Sequence, residues 1–420
     1  MSNKRFVLLG VLTEIVYLLF WVIRYAHFGK VYQYNLLENN FAFGIVIGFI
    51  LLLLLFYLLA SKFEELKKVS YKLILFFAIL FNFTIVCILP IASDDLFSYI
   101  SVGRIISKYH ENPYVVSYDH FQNDILYPKI KTVWSQKTTA YGPVFPILDG
   151  ILAFLGGDNL KLSIYLYKFL FMALNILIGL LIYKITKSRQ AMVLYSWNPL
   201  ILFEISINSH NDALLVLFFI LSLYFLFKKN TLKYHLLAWF FLVISALTKY
   251  FSGIFLPFYF IYSLKTLPTK EDKFKYFFLS GFGGLVIVIL SFFPFWTSPY
   301  ILSGSLSFYG TRTMIQQLGI NSNDYRVFRI IANILLGIIF IFKILNHYLK
   351  EKTPYQLVNT LALIFAFFLI LGFGLVLPWY LVLLVALLSI CVGLSKKNRT
   401  YVLVLFGSTV YAFLQYFLIR

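Results

Sequence analysis

The sequence predicts an all-α polytopic membrane protein, a multi-helix bundle with about 13 transmembrane crossings. Three observations carry this expectation. Hydrophobic residues make up 61% of the 420-residue chain and charged residues only 13%, more apolar surface than a soluble domain can hide. Long apolar runs recur from end to end. The Lys and Arg behind the formal net charge of +19 fall between those runs, as in Lys/Arg-rich cytoplasmic loops. No basic domain stands apart, so nucleic acid is not an expected partner. Cys87 and Cys391 both lie in apolar segments and give neither a disulfide framework nor a metal pattern.

Apolar runs predict helices near 6–23, 41–60 and 72–92. Lys4 and Arg5 precede the first, and Lys62, Lys67, Lys68 and Lys72 separate the second from the third. Both sets belong in the cytoplasm, so the third helix delivers its end to the extracytoplasmic side. The N-terminus superficially resembles a signal peptide. No small-residue cleavage site follows it, so it reads as an uncleaved helix. A long extracytoplasmic loop over 93–160 comes next. Within it Leu96 to Tyr109 has helical apolar spacing and predicts an amphipathic helix on the outer surface, ended by Glu111-Asn112-Pro113. The apolar piece 143–156 rises only ~21 Å as a helix, short of a ~30 Å core, and reads as re-entrant or surface-lying.

Helices follow near 161–184, 190–206 and 212–228. The run 235–264 is interrupted by Lys249-Tyr250 and flanked by Lys on both sides. It reads as two short crossings with Lys249 at the outer turn, or as one long tilted helix with a snorkelling lysine. Helices near 277–296, 327–345, 355–375, 377–394 and 400–418 complete the chain. The whole, 1–420, is a single integral membrane domain. It divides into two N-terminal helices over 1–70, a catalytic module over 71–265 and C-terminal helices over 266–420.

The polar stretch Ser93 to Tyr114 is where chemistry is expected. Asp94 and Asp95 sit where an apolar run leaves the membrane, a costly depth for ionisable groups that points to function. Two adjacent anions also disfavour each other's ionisation. Helix capping is the ordinary alternative for either one. Tyr99 lies four residues after Asp95 and shares its helix face. Arg104 lies nine residues on, ~180° away, and must meet headgroups or another loop. Other candidates gather at the same membrane surface: Glu204, His210, Asp212, Lys249, Arg312 and Arg326. Asp212 could instead cap a helix, and His210 could be a satisfied interfacial histidine. Glu14 is an isolated membrane carboxylate with no partner to name. Trp379-Tyr380 could be an interfacial belt or a platform for a sugar ring. Carboxylates with cations at one surface suit transfer from a lipid phosphate. A carboxylate takes the acceptor's proton, and Lys or Arg stabilises the departing phosphate. No nucleotide-binding glycine motif is present.

The stretch SDDLFSYISVGRIISKYHENPY resembles the first-loop signature of membrane GT-C glycosyltransferases. It is most similar to bacterial polyprenyl-phosphate-mannose-dependent mannosyltransferases. Ser93, Asp95, Leu96, Phe97, Tyr99, Gly103, Arg104 and Asn112-Pro113-Tyr114 carry the likeness. Tyr141-Gly142-Pro143, Trp197-Asn198-Pro199 with Glu204, the turn Asn208 to Asp212 and Leu377-Pro378-Trp379-Tyr380 follow in the same order. The resemblance implies a GT-C-type multi-helix bundle in the plasma (inner) membrane, N-terminus cytoplasmic and active site extracytoplasmic. It implies an inverting transfer of a hexose, mannose first, from a polyprenyl-phosphate donor to a glycan or glycolipid hydroxyl. It puts the general base on Asp95, with Asp94 second. Lys249, Arg104, Arg312 and Arg326 would face the phosphate. Tyr99, Asn112, Tyr141, Glu204, His210, Asp212, Trp379 and Tyr380 would line the substrates. No cofactor is required and a divalent cation is optional. A pentose transferase, a flippase of lipid-linked sugar and a non-catalytic assembly factor are the competing readings.

Overall fold

The computed structural model describes residues 3–28, 40–61, 66, 68–296, 322–350, 353–373, 376–395 and 399–419. Among them every regular element is a helix. Helix α1 (Asn3–Phe28) packs against α2 (Asn40–Ser61) and α3 (Tyr71–Val86) through aromatic rings. Phe20 lies 5.5 Å from Phe49, and Tyr17 lies 5.5 Å from Phe81, centroid to centroid. The membrane carboxylate without a nameable partner finds one here: the Thr84 hydroxyl on α3 donates to Glu14.

Helix α3 stops at Val86, not at the expected residue 92. Pro90 has no N–H and biases Leu89 away from helical geometry, so the turn cannot propagate through them. The freed Ile91 and Ala92 N–H groups both donate to the Asn208 side chain, at 3.2 and 3.3 Å. Helix α4 (Asp95–Ser107) follows. It was expected on the outer surface, but Leu96, Phe97, Tyr99, Ile100, Gly103, Arg104 and Ile105 are all buried. Loop 108–143 and α5 (Val144–Gly156) cover it. It also ends before Asn112-Pro113, with His110 in the left-handed region at φ 56°. Helix α5 lays one face on α4 and leaves Ile151, Phe154 and Leu155 exposed on the other. Its 13 residues are too few to span a bilayer.

Helix α6 (Leu160–Thr186) is long enough to cross. The expected helix 190–206 is instead broken. Helix α7 (Arg189–Ser196) ends at Trp197, Asn198 caps a new start by accepting from Leu200 N–H, and Leu202–Ile207 forms wider π-type turns. Pro199 cannot donate across the junction, which forces the restart. Wide turns leave carbonyls unpaired, and the buried Lys168 ammonium accepts that task, donating to Ser206 and Ile207 carbonyls at 2.8 Å each. The chain then turns through 120° into α8 (Asp212–Lys228).

Helix α9 (Leu232–Thr248) stops at Lys249, whose backbone is extended at φ −139°, ψ 121°. A short 3₁₀ segment, Tyr250–Phe255, leads into α10 (Leu256–Thr266), so the broken pair is found and the single tilted helix is not. Helices α11 (Lys270–Phe292), α12 (Ser322–Lys350), α13 (Pro354–Phe367), α14 (Leu381–Leu394) and α15 (Arg399–Ile419) complete the described chain. Among the described residues six helices are long and apolar enough to cross a membrane, or seven if the bent pair ending in α8 is one span, and four shorter apolar helices stand beside them. The protein is thus a polytopic helical membrane protein. A count of thirteen is not reached by length and composition alone.

Helices α4 and α5 meet closely at Gly103, where an added Cβ would sit 2.2 Å from the Asp149 backbone oxygen on α5. Gly103→Ala is therefore expected to lower stability by ~1–3 kcal/mol, the usual cost of overpacking. Thermal unfolding of the detergent-solubilised variant checks this. An unchanged midpoint would mean that α4 and α5 separate freely.

Candidate active site

Three breaks in helical backbone meet at one place: the start of α4, the turn Asn208 to Asn211, and the α9 break at Lys249. The turn is strained, with Ser209 in the left-handed region at φ 64°. Asn208 pins it to the segment before α4 through the Ile91 and Ala92 N–H groups. The Lys249 break is pinned from the loop side, where Gly142 N–H donates to the Thr248 carbonyl at 3.1 Å. Only glycine permits that approach, since a Cβ there would lie 2.1 Å from the Leu247 oxygen. The neighbour of Gly142, Tyr141, is thereby held over the break.

The charged side chains delivered by these breaks are paired. Lys249 Nζ donates to Asp212 Oδ2 at 2.7 Å, and its ammonium lies 5.5 Å from the Tyr141 ring centre and 5.7 Å from that of Tyr380. His210 Nδ1 is 3.4 Å from Asp95 Oδ2, and His210 Nε2 is 3.2 Å from Glu204 Oε2. The His210 ring stacks on Trp379 at 4.2 Å and 18°. Burial alone would lower the His210 pKa, but the two carboxylates push it up to about 9. Burial likewise opposes the Asp95 carboxylate, yet His210 and Lys249 hold it below the ordinary range. Asp94 behaves oppositely. Burial and the adjacent Asp95 charge push it up to about 6, with the Trp134 indole beside it. The two aspartates differ because, among the described residues, the His210 ring nitrogen lies against Asp95 and not against Asp94.

An open cavity of about 1110 Å³, mouth included, lies against this cluster. Asp95, Tyr141, Lys249, Trp379 and Tyr380 line it, facing a wall of loop residues from Trp134 to Ala140. Glu204, His210 and Asp212 do not line it, standing behind Asp95 and Lys249 with at most 2% of their surface exposed. Arg104 does not line it either. Its guanidinium grips Asp124 through two nitrogens and also reaches Asp158 and the Gly157 carbonyl. That is the second of the two positions foreseen for it, another loop. Asn112 donates to the Phe295 carbonyl, a loop-to-helix tie. Tyr99 is buried beneath Asp95, with its hydroxyl at the Asn211 N–H. Arg312 and the side chain of Arg326 lie outside the described residues.

A family model described as "Alpha-(1->6)-mannopyranosyltransferase, N-terminal domain" matches residues 21–265. The chain belongs to this family. It is a membrane glycosyltransferase of the mannosyl-transferring kind, with a sugar donor and a glycan acceptor as substrates. Among curated proteins, and among solved structures, nothing matches. The matched segment of the transferase holds Asp94, Asp95, Tyr99, Tyr141, Glu204, His210, Asp212 and Lys249, but Trp379 and Tyr380 lie beyond it. The cavity is therefore completed by the C-terminal helices. Trp134 was not singled out by the sequence, although a lone tryptophan in a polar loop was a usable signal. Among the described residues no three His, Cys, Asp or Glu side chains converge to hold a metal ion.

Replacing Arg104 by Met takes the guanidinium from the buried Asp124 carboxylate and leaves it the part-exposed Lys108 at 3.6 Å, a loss of up to ~3–5 kcal/mol for such pairs. The transferase variant is expected to unfold at markedly lower temperature while any folded fraction keeps the donor KM of wild type. Normal stability with a raised donor KM would instead place Arg104 on the phosphate.

Proposed function

We propose that this protein transfers mannose from a polyprenyl-phosphate donor to a sugar hydroxyl at the extracytoplasmic membrane surface. The observation that carries the reading is one cavity lined by a carboxylate held ionised, Asp95, and a membrane-embedded ammonium, Lys249. The acceptor oxygen attacks the anomeric carbon as the bond from that carbon to the phosphate oxygen breaks. Asp95 takes the hydroxyl proton, and the polyprenyl phosphate leaves as an anion. An ammonium has three donors, so pairing with Asp212 leaves Lys249 able to meet the departing phosphate. A divalent cation stays optional, because a monophosphate can depart with a lysine's help alone.

A single displacement inverts the anomeric centre. If the product is α-linked, as the family description has it, the donor is β-linked. Trp379, Tyr380 and Tyr141 offer rings for the apolar faces of the two sugars. The Lys-rich segments support the extracytoplasmic side, since their cytoplasmic placement leaves Asp94 and Asp95, beyond the end of α3, outside. The bilayer would hold the donor's tail, so the protein needs no nucleotide-binding fold.

The test uses purified protein in nanodiscs, radiolabelled polyprenyl-phosphate-mannose and octyl α-mannoside as acceptor. Asp95→Asn should lose the ~10²–10⁴-fold that a positioned base contributes. Asp94→Asn should retain most activity. Equal activity in both variants and wild type would remove the base assignment.

The pH profile separates the two aspartates further, because a base works only when ionised. With Asp95 as base the rate stays level as pH falls through 6, since its carboxyl protonates only below the ordinary aspartate range. With Asp94 as base the rate would drop below about pH 6.

A further inference from the structure

The resemblance assigns Glu204 and His210 to substrate binding, but neither can reach a substrate. Both are fully buried, and neither lines the cavity. Each His210 nitrogen already faces a carboxylate, Asp95 on one side and Glu204 on the other, at 3.4 and 3.2 Å. Its ring plane is fixed by the Trp379 stack. The peptide around it is committed as well, since His210 N–H donates to the Glu204 carbonyl at 3.0 Å. A buried carboxylate such as Glu204 is expensive unless it meets a cation. Asp212 is spoken for by Lys249, and Asp94 shows no contact with the ring's nitrogens.

We propose that Glu204 and His210 are positioning residues for Asp95: Glu204 holds the imidazole ring, and the ring fixes one Asp95 oxygen so that the other is presented to the cavity. This rests on the reading of Asp95 as the base. The arrangement parallels a carboxylate–histidine pair in an acyl-transfer triad, with the roles moved one place, because here the histidine orients a carboxylate base and does not itself touch substrate. The device has a chemical purpose. A carboxylate that can rotate presents either oxygen and loses the attack geometry, and one without a neighbouring cation would rise in pKa as Asp94 does. Trp379, from outside the family-matched segment, completes the clamp.

The groups that bear on His210 are Asp95 and Glu204 across its two nitrogens, Trp379 on its face, and more distantly Asp94, Tyr99, Asp212 and Lys249. The test is a pH–rate profile for Glu204→Gln and His210→Gln beside Asp95→Asn, in nanodiscs with polyprenyl-phosphate-mannose and octyl α-mannoside. Glu204→Gln keeps the shape and removes the charge. Its kcat should fall at least ~10-fold, within the ~10²–10⁴ that a positioned base supplies, with both KM values within ~2-fold of wild type. Its alkaline limb should move down by ~1–3 units, the shift produced by losing an adjacent opposite charge. His210→Gln should show the same kcat loss without that alkaline limb, and it keeps the proposal open to refutation if Glu204→Gln does not fold. Raised KM at unchanged kcat would restore these residues to substrate binding and overturn the inference. Wild-type kcat and pH profile in either folded variant would also overturn it while leaving an inactive Asp95→Asn, and so the base reading, intact. An active Asp95→Asn would remove both.

Discussion

Backbone polar groups inside a bilayer must be paired within the protein, and the architecture follows from that constraint. The wide turns 202–207 are met by Lys168, the residues after α3 by Asn208, and the Thr248 carbonyl by Gly142. Every pairing group comes from a different element. Asn208 ties the break after α3 to the turn before α8, the Lys249–Asp212 pair ties α9 to α8, and the breaks leave side chains around a common space. The cavity lies where the helices stop.

Charge is balanced locally in that space. Lys249 answers Asp212, and His210 answers Asp95 and Glu204. Asp94 has no ion pair among the described residues, and burial with the adjacent Asp95 charge moves it toward its neutral form. Adjacent residues of the same type thus acquire different chemistry from their neighbours alone. The rings of Tyr141 and Tyr380 pack against the Lys249 ammonium, and that of Trp379 against His210.

Much of this was legible in the sequence. Apolar runs and the placement of Lys and Arg gave the helices, and the interruption at Lys249-Tyr250 correctly announced a break. The angular position of Arg104 excluded it from the face of Asp95, and it is found on Asp124. Pro90 and Asn198-Pro199 announced the other two breaks, but long apolar runs masked them, because hydropathy does not register a missing N–H. The burial of α4 was unreadable for a different reason. Its polar residues are satisfied by loop partners distant in sequence, as Arg104 is by Asp124 and Asp158, so an amphipathic pattern did not mean a wet face. The position of Glu204 and His210 behind Asp95, not on the cavity wall, depended on the 120° bend that no periodicity reveals.

The most direct measurement is a structure of the nanodisc-embedded protein with a polyprenyl phosphonate analogue of the mannose donor. The account predicts the phosphonate against Lys249, the sugar between Trp379 and Tyr141, and the free oxygen of Asp95 directed at the face of the anomeric carbon opposite the phosphonate. A phosphonate bound at Arg104 and Lys108, or a sugar out of reach of Asp95, would contradict it.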